Sequence, residues 1–115
     1  MSDDERFGRS RRLVRGADVR RVLQGGRRSR GGFVDIHWLA GTVGHARMGL
    51  VVPRFRQTAV ARNRLRRRLK ELWRCELQQH LPVLDVVIRT RPSAYTASFG
   101  ALRSELVGWR EALSA

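Results

Sequence analysis

Basic residues crowd the segment from Arg62 to Arg74, and their density suits phosphate binding. Only Glu71 and Glu76 offset eight cations in or beside this segment: Arg56, Arg62, Arg64, Arg66, Arg67, Arg68, Lys70 and Arg74. Like charges on neighbouring helical turns repel one another, whereas phosphate oxygens would accept charge-assisted hydrogen bonds from them. The segment therefore favours a polyanion-binding surface over a merely solvated helix face.

Apolar residues in the same region predict the helix that must position these cations. Thr58 is a suitable N-cap, and the helix is predicted to run to about His80. One face carries Leu65, Leu69, Leu72, Trp73 and Leu77 at helical spacing. A helical wheel places Asn63, Arg67, Lys70 and Arg74 away from that face, with Arg64 and Arg66 on its flanks. Arg62 falls nearer the apolar face, so a structural role, anchoring the helix to the sheet edge, stays open beside phosphate binding.

The charge of the whole chain agrees with this interpretation. Its 115 residues include 24 Lys+Arg and 10 Asp+Glu, a formal net charge of +14 at pH 7. So large an excess predicts a polyanionic partner, while a hydrophobic fraction of 42% allows a modest core. A second basic zone runs from Arg9 to Arg30, where Asp18 is the only acid. Residues 1–8, with three acids, are predicted to form a flexible leader before a single domain at 9–115.

Composition also excludes several classes of protein and of site. No apolar run approaches the roughly 20 residues of a transmembrane span. The acidic N-terminus lacks the layout of a signal peptide, so we expect a cytoplasmic protein without a membrane partner. A single cysteine, Cys75, excludes an internal disulfide and a cysteine zinc cluster. Asp35, His37, His45 and His80 lack the spacing of metal ligands, and no metal site is predicted.

The hydrophobic pattern predicts an α+β fold with the order helix, strands, helix, strand, helix. The predicted elements are a helix from Asp18 through Leu23, a loop at 27–32, strands at 33–40 and 45–52, the long helix at 58–80, a strand at 85–89 and a helix from about 96 to 113. The two strands before the long helix could pair as an antiparallel hairpin. A strand, a helix and a strand in succession indicate a βαβ-like unit inside an α/β sandwich.

The stretch Arg62–Glu71, with its Arg-Asn-Arg start and downstream basic run, resembles the signature helix of the bacterial ribonuclease P protein subunit. The surrounding order is similar as well. A basic arm and helix precede a strand ending in Gly49–Val52, and the signature helix is followed by a strand at Asp85–Ile88, a variant of Arg-x-x-Pro at Arg89–Pro92 and a last helix. The resemblance covers nearly the whole chain from about Arg9.

This resemblance implies a fold and a function for the domain at 9–115. The family's fold is a single-domain α/β sandwich with about four strands and a left-handed βαβ crossover. Its members bind a large catalytic RNA and with it remove the 5′ leader of precursor tRNA. The RNA and its bound Mg²⁺ perform the hydrolysis, so we expect no catalytic residue in the protein and no cofactor bound by the protein alone. Catalytic RNA and precursor tRNA are the implied partners, and no protein partner is required.

The resemblance also implies which residues bind RNA. Positions that match the family are Arg54, Arg62, Asn63, Arg64, Arg66, Arg67 and Lys70, and the basic arm adds Arg11 and Arg12. A cleft for the single-stranded leader is expected between the first helix and the sheet, lined by Val19, Leu23, Val34 and Ile36. The family often has aromatic rings there, which stack on bases. The nearest aromatic residues here are Phe33, Trp38 and Phe55, so arginine is expected to hold more of the leader.

One departure from the family and two competing interpretations remain. The family's Gly-Asn pair before the signature helix is replaced by Gln57-Thr58, while positive charge is kept at Arg54 and Arg56. A structural RNA-binding protein, such as a small ribosomal protein, would share the composition but not the embedded Arg-Asn-Arg helix. A DNA-binding recognition helix is a weaker alternative, because this helix carries many core-facing leucines.

Overall fold

Three helices and four strands make up the part of the domain that a computed structural model describes, residues 12–13 and 15–114. In chain order they are α1 (Gly16–Gly25), β1 (Arg27–Arg30), β2 (Val34–Ala40), β3 (Arg47–Val51), α2 (Ala59–Leu72), β4 (Leu84–Thr90) and α3 (Phe99–Ser114). A π-helical turn, Trp73–Leu77, continues α2, and a 3₁₀ turn, Pro92–Tyr95, precedes α3. The predicted α+β class is confirmed.

The four strands form one sheet in the order β1-β2-β4-β3. β4 pairs antiparallel with β2 and parallel with β3, so β3, α2 and β4 form the predicted βαβ unit. The central place of β4 follows from its sequence, because Val86, Val87 and Ile88 are apolar and fully buried on both faces of the sheet.

Two predictions about this sheet are wrong. Residues 27–30, predicted as loop, form β1, which pairs antiparallel with β2. Their side chains are mostly exposed at the sheet edge, so the sequence of β1 lacks the apolar alternation that would reveal a strand. The predicted hairpin of β2 with β3 does not form either, because the more apolar β4 lies between them.

Helices cover both faces of the sheet. On one face, α2 and α3 bury the main core, which includes Leu69, Trp73 and Leu106. On the other face, α1 packs Val22 against Val87 of β4. Alternation along each strand therefore assigns every strand side chain either to the main core or to the side of α1.

A buried carboxylate joins α1 to the sheet. Asp85 of β4 is 0% exposed and accepts hydrogen bonds of 2.9 Å from both Nε and Nη2 of Arg47. Arg21 of α1 forms a second ion pair with the same carboxylate. Two guanidinium groups thus compensate the charge of Asp85, which would be strongly unfavourable in the interior without a partner.

Side-chain caps set the starts of the two long helices. The hydroxyl of Thr58 accepts a hydrogen bond of 3.1 Å from the backbone of Ala61, which confirms the predicted N-cap of α2. Ser98 accepts a similar bond of 3.0 Å from Ala101, so α3 begins after the 3₁₀ turn and later than predicted. None of the helices in the described part of the chain has the length and apolar character needed to cross a membrane.

Candidate nucleic-acid interface

The polar sides of α2 carry most of the predicted RNA-binding residues. Asn63, Arg64 and Arg67 are exposed, while Arg66 and Lys70 are partly buried on one flank. The predicted apolar face is confirmed, since it buries Leu65, Leu69 and Leu72. Burial of this face fixes the rotation of α2 and so decides where each cation lies.

Arg62 anchors the start of α2 to the end of β3. Its Nε donates a hydrogen bond of 2.7 Å to the backbone carbonyl oxygen of Val52. The side chain is partly buried, as its place near the apolar face of the helical wheel indicates. This contact supports the structural role that the sequence left open for Arg62.

A groove of about 290 Å³ lies between the N-terminal segment, β3 and α2, and we call it the arm groove. Its lining residues are Arg12, Leu13, Val19, Met48, Gly49, Leu50, Arg66 and Lys70. The backbone N–H of Leu13 donates a hydrogen bond of 3.0 Å to Met48, so this segment adds to the outer edge of β3. That pairing brings Arg12 to the same groove as the cations of α2.

Positive charge is concentrated in the arm groove. Burial lowers the pKa of Lys70 below 10.5, and the nearby charges of Arg66 and Arg12 lower it further. Burial, followed by the charge of Arg62, also lowers the pKa of Arg66. Both directions mean that the folded protein holds Arg66 and Lys70 in their charged form at a free-energy cost, and the described residues that line the groove include no acid. A bound anion would relieve that cost, which makes the groove suitable for phosphate.

The four residues predicted to line a leader cleft lie on opposite faces of the sheet. Val19 and Leu23 are partly buried on the side of α1, and Val19 lines the arm groove. Val34 and Ile36 are 1% and 2% exposed in the main core against α2 and α3. They therefore cannot line a cleft beside α1. This part of the prediction is wrong because the more apolar face of β2 faces the main core.

The face of the sheet beside α1 instead carries cations outside the predicted set. Arg28 lies opposite His37 in the β1–β2 register, and Arg89 lies opposite Asp35 in the β2–β4 register; both arginines are exposed. Burial lowers the pKa of His37 below 6.5, and the charge of Arg28 lowers it further. Asp35 accepts a hydrogen bond of 3.0 Å from Nη2 of Arg91. Alternation along β1 would have revealed Arg28 had that strand been predicted.

A second groove, of about 300 Å³, lies on the other flank of α2, and we call it the α3 groove. It is lined by Ala61, Arg64, Leu65, Arg68, Ala94, Tyr95, Thr96, Ala97 and Ser98. Arg64 and Arg68 are one helical turn apart and have no acidic partner among the residues that the structure describes. Four cations of α2 therefore line two grooves, with two of them on each flank.

The turn before α2 has an unusual backbone. Phe55 and Arg56 have φ angles of 47° and 66°, in the left-handed region that side chains other than glycine seldom adopt. The carbonyl oxygen of Arg54 accepts a hydrogen bond of 2.7 Å from the backbone of Gln57, which closes the turn. The positive φ angles precede Gln57-Thr58, so the chain turns into α2 without needing glycine at the position where the family has one.

Part of the predicted basic arm and the whole predicted leader lie outside the residues that the structure describes. Arg11 and the predicted leader at 1–8 lie outside the described residues, whereas Arg12 lines the arm groove. Within residues 12–13 and 15–114, no group of three or more His, Cys, Asp and Glu side chains is placed to hold a metal ion.

Comparison with known proteins gives one consistent family. The family model described as Ribonuclease P matches residues 7–113. The ribonuclease P protein component of Syntrophobacter fumaroxidans is 33% identical over 108 residues, covering 93% of this chain and 91% of that protein. The protein component of Thermus aquaticus is 38% identical over 85 residues, and there the chain spans 49% of the relative's length.

Two solved structures of RNase P proteins have a similar fold. The RNase P protein of Staphylococcus aureus superposes with a TM-score of 0.77 at 21% identity, covering 84% of this chain and 88% of that one. The RNase P protein of Thermotoga maritima gives a TM-score of 0.72 at 21% identity, covering 80% and 87%. The match of the family model over most of the sequence, together with the 33% identical relative, shows that the chain belongs to the ribonuclease P protein family.

Proposed function

We propose that this chain is the protein subunit of ribonuclease P and assists a catalytic RNA in removing the 5′ leader of precursor tRNA in the bacterial cytoplasm. Membership of the family favours this function over that of a ribosomal protein. The observation that carries the proposal is the arm groove, where Arg66 and Lys70 of α2 lie beside Arg12 of the N-terminal segment.

The arm groove suits a single RNA strand, and we assign the leader to it. Its three cations would bind successive phosphates, while the partly buried Val19 offers an apolar surface to bases. Aliphatic side chains do not stack on bases as aromatic rings do. Affinity for the leader would therefore depend mainly on charge and would fall steeply with salt.

The outer surface of α2 would bind the catalytic RNA. Asn63, Arg64 and Arg67 are exposed there, and Arg54 is exposed in the turn that precedes the helix. Arg62 would act chiefly by holding α2 in place through its bond to Val52. A single helix would in this way contact the catalytic RNA with one side and the leader with another.

The hydrolysis itself would belong to the RNA and its Mg²⁺ ions. Among the described residues, no group of three or more acidic, His or Cys side chains is placed to hold a metal ion. What the chain supplies is fixed positive charge, which neutralises phosphate where two RNA molecules approach each other.

The test is leader cleavage at low Mg²⁺ by the cognate catalytic RNA, with and without the chain. We expect faster cleavage when the chain is present and a smaller acceleration with Lys70→Ala. Arg103→Ala removes an exposed charge from α3 and serves as the matched control, with native acceleration expected. If the native chain gives no faster cleavage than the RNA alone, the proposed function is wrong.

A further inference from the structure

Two loops meet where the parallel strands β3 and β4 end, and they hold an aromatic pair at the surface. The hydroxyl of Tyr95 donates a hydrogen bond of 2.7 Å to the carbonyl oxygen of Pro53. The rings of Phe55 and Tyr95 meet edge to face, with centroids 6.5 Å apart and planes at 86°. Tyr95 thus ties down the loop that carries Phe55.

Folding alone gives little reason for an aromatic ring at position 55. The Phe55 side chain remains 42% exposed despite its contact with Tyr95. Its φ of 47° is unfavourable for most residues with a side chain, with Asn and Asp as the usual exceptions. A partly exposed ring on a strained backbone contributes less to stability than a buried ring would, and such strain is concentrated at binding sites.

Cations lie beside this ring in sequence and beside its partner Tyr95 in space. Arg54 and Arg56 flank it in sequence and are exposed, and Arg64 and Arg68 line the α3 groove together with Tyr95. Within the described part of the chain, none of these four arginines has an acidic partner. An exposed aromatic ring among unneutralised arginines is the combination that binds single-stranded nucleic acid, since the ring stacks on a base and the arginines bind phosphates.

We propose that Phe55 stacks on an unpaired base of the catalytic RNA while Arg64 and Arg68 bind the adjoining phosphates. This inference rests on the proposed function and deepens it. The catalytic RNA, rather than the leader, is the partner because the α3 groove lies on the flank of α2 away from the arm groove.

The experiment measures binding of the catalytic RNA alone to the native chain and to variants at position 55. Phe55→Leu keeps apolar volume without an aromatic face, and Phe55→Asn is a second non-aromatic variant suited to positive φ. We expect both to bind about tenfold more weakly, and Phe55→Tyr to bind like the native chain. Val83→Ala is the matched control, because Val83 is also 42% exposed but lies beside the start of β4.

Thermal unfolding of each variant establishes that it is folded, and precursor tRNA is then added in a second arm. Native affinity of the two non-aromatic variants for the catalytic RNA would overturn the inference. So would a loss limited to the binding of precursor tRNA, because the ring would then contact the leader. A native chain that does not bind the catalytic RNA at all would instead contradict the proposed function itself.

Discussion

The arginines around Asp85 and those on α2 are one residue type in two different roles. Arg47 and Arg21 share a carboxylate that is fully buried between α1 and the sheet. Arg64 and Arg67 are exposed on α2 and, among the described residues, have no acidic partner. A guanidinium with a carboxylate inside the fold stabilises the fold, whereas one without is available to phosphate. The partner of each arginine, rather than the total charge, therefore distinguishes the structural arginines from those of the candidate interface.

A third group of arginines resembles the structural group. Arg103 of α3 donates a hydrogen bond of 2.9 Å to Oε1 of Glu76, and Arg110 donates one of 2.6 Å to its backbone carbonyl oxygen. These contacts join α3 to the π-helical turn after α2. They also supply charged residues of the same type for use as controls.

The largest effect is expected where the buried charge is removed. Asp85→Asn leaves Arg47 and Arg21 without their carboxylate at the contact of α1 with the sheet, and breaking a buried pair in this way destabilises proteins by about 3–5 kcal/mol. Urea unfolding of the native chain and the variant measures the change.

Asp35→Asn is the matched control for that substitution. Its pair with Arg91 is partly exposed, and we expect a loss of no more than about 1 kcal/mol. Equal losses at the two positions would show that burial of Asp85 does not distinguish the structural arginines.

A smaller effect, seen in binding rather than in stability, is expected on α2. Replacing both Arg64 and Arg67 with alanine should weaken binding of the catalytic RNA. The slope of log K against log salt should become shallower by the amount expected for the loss of about two phosphate contacts. The free energy of unfolding should change little, since neither side chain supports the fold.

The control for this pair is the double replacement of Arg103 and Arg110 with alanine. It removes the same charge from α3, and the slope of log K against log salt should stay native. An unchanged slope in the Arg64 and Arg67 variant would mean that these side chains do not contact phosphate.

The smallest effect is a pH dependence at His37. Because its pKa is lowered in the folded protein, protonation favours the unfolded chain, so stability falls as pH drops below 6.5 towards the lowered pKa. His37→Gln should lose less stability over that interval than the native chain does. Unfolding in urea at several pH values tests this, with exposed His80→Gln as control; parallel curves for native and His37→Gln proteins would contradict it.

The sequence predicts α2 well and the sheet less well, for physical reasons. Leucines at helical spacing and the cap at Thr58 specify α2 locally, and the flanks predicted for Arg64 and Arg66 follow from the same periodicity. Strand order is decided by competition between distant segments, so β4 displaces β3 from β2 without any local signal. β1 escapes detection because an edge strand does not need apolar alternation.

Residues of the candidate site that belong to a sequence motif were predictable, whereas residues whose place depends on which sheet face is buried were not. The Arg-Asn-Arg helix identified the family and most of the cations on α2. The interior position of Val34 and Ile36 depends on which face of β2 receives α2 and α3, and alternation within one strand cannot decide between two covered faces. The anchoring role of Arg62 could not be predicted from the sequence, because it depends on where the folded chain places the carbonyl oxygen of Val52.

β1 has a consequence for the chain in the absence of RNA. Among the described strands it has a neighbour on one side alone, so its other side offers backbone groups to which a second copy could pair. Such a pairing would bring Arg27, Arg28 and Arg30 against the same three residues of the other copy. Repulsion between these arginines opposes aggregation through this edge. The positive charge of β1 therefore also disfavours self-association of the chain in the absence of RNA.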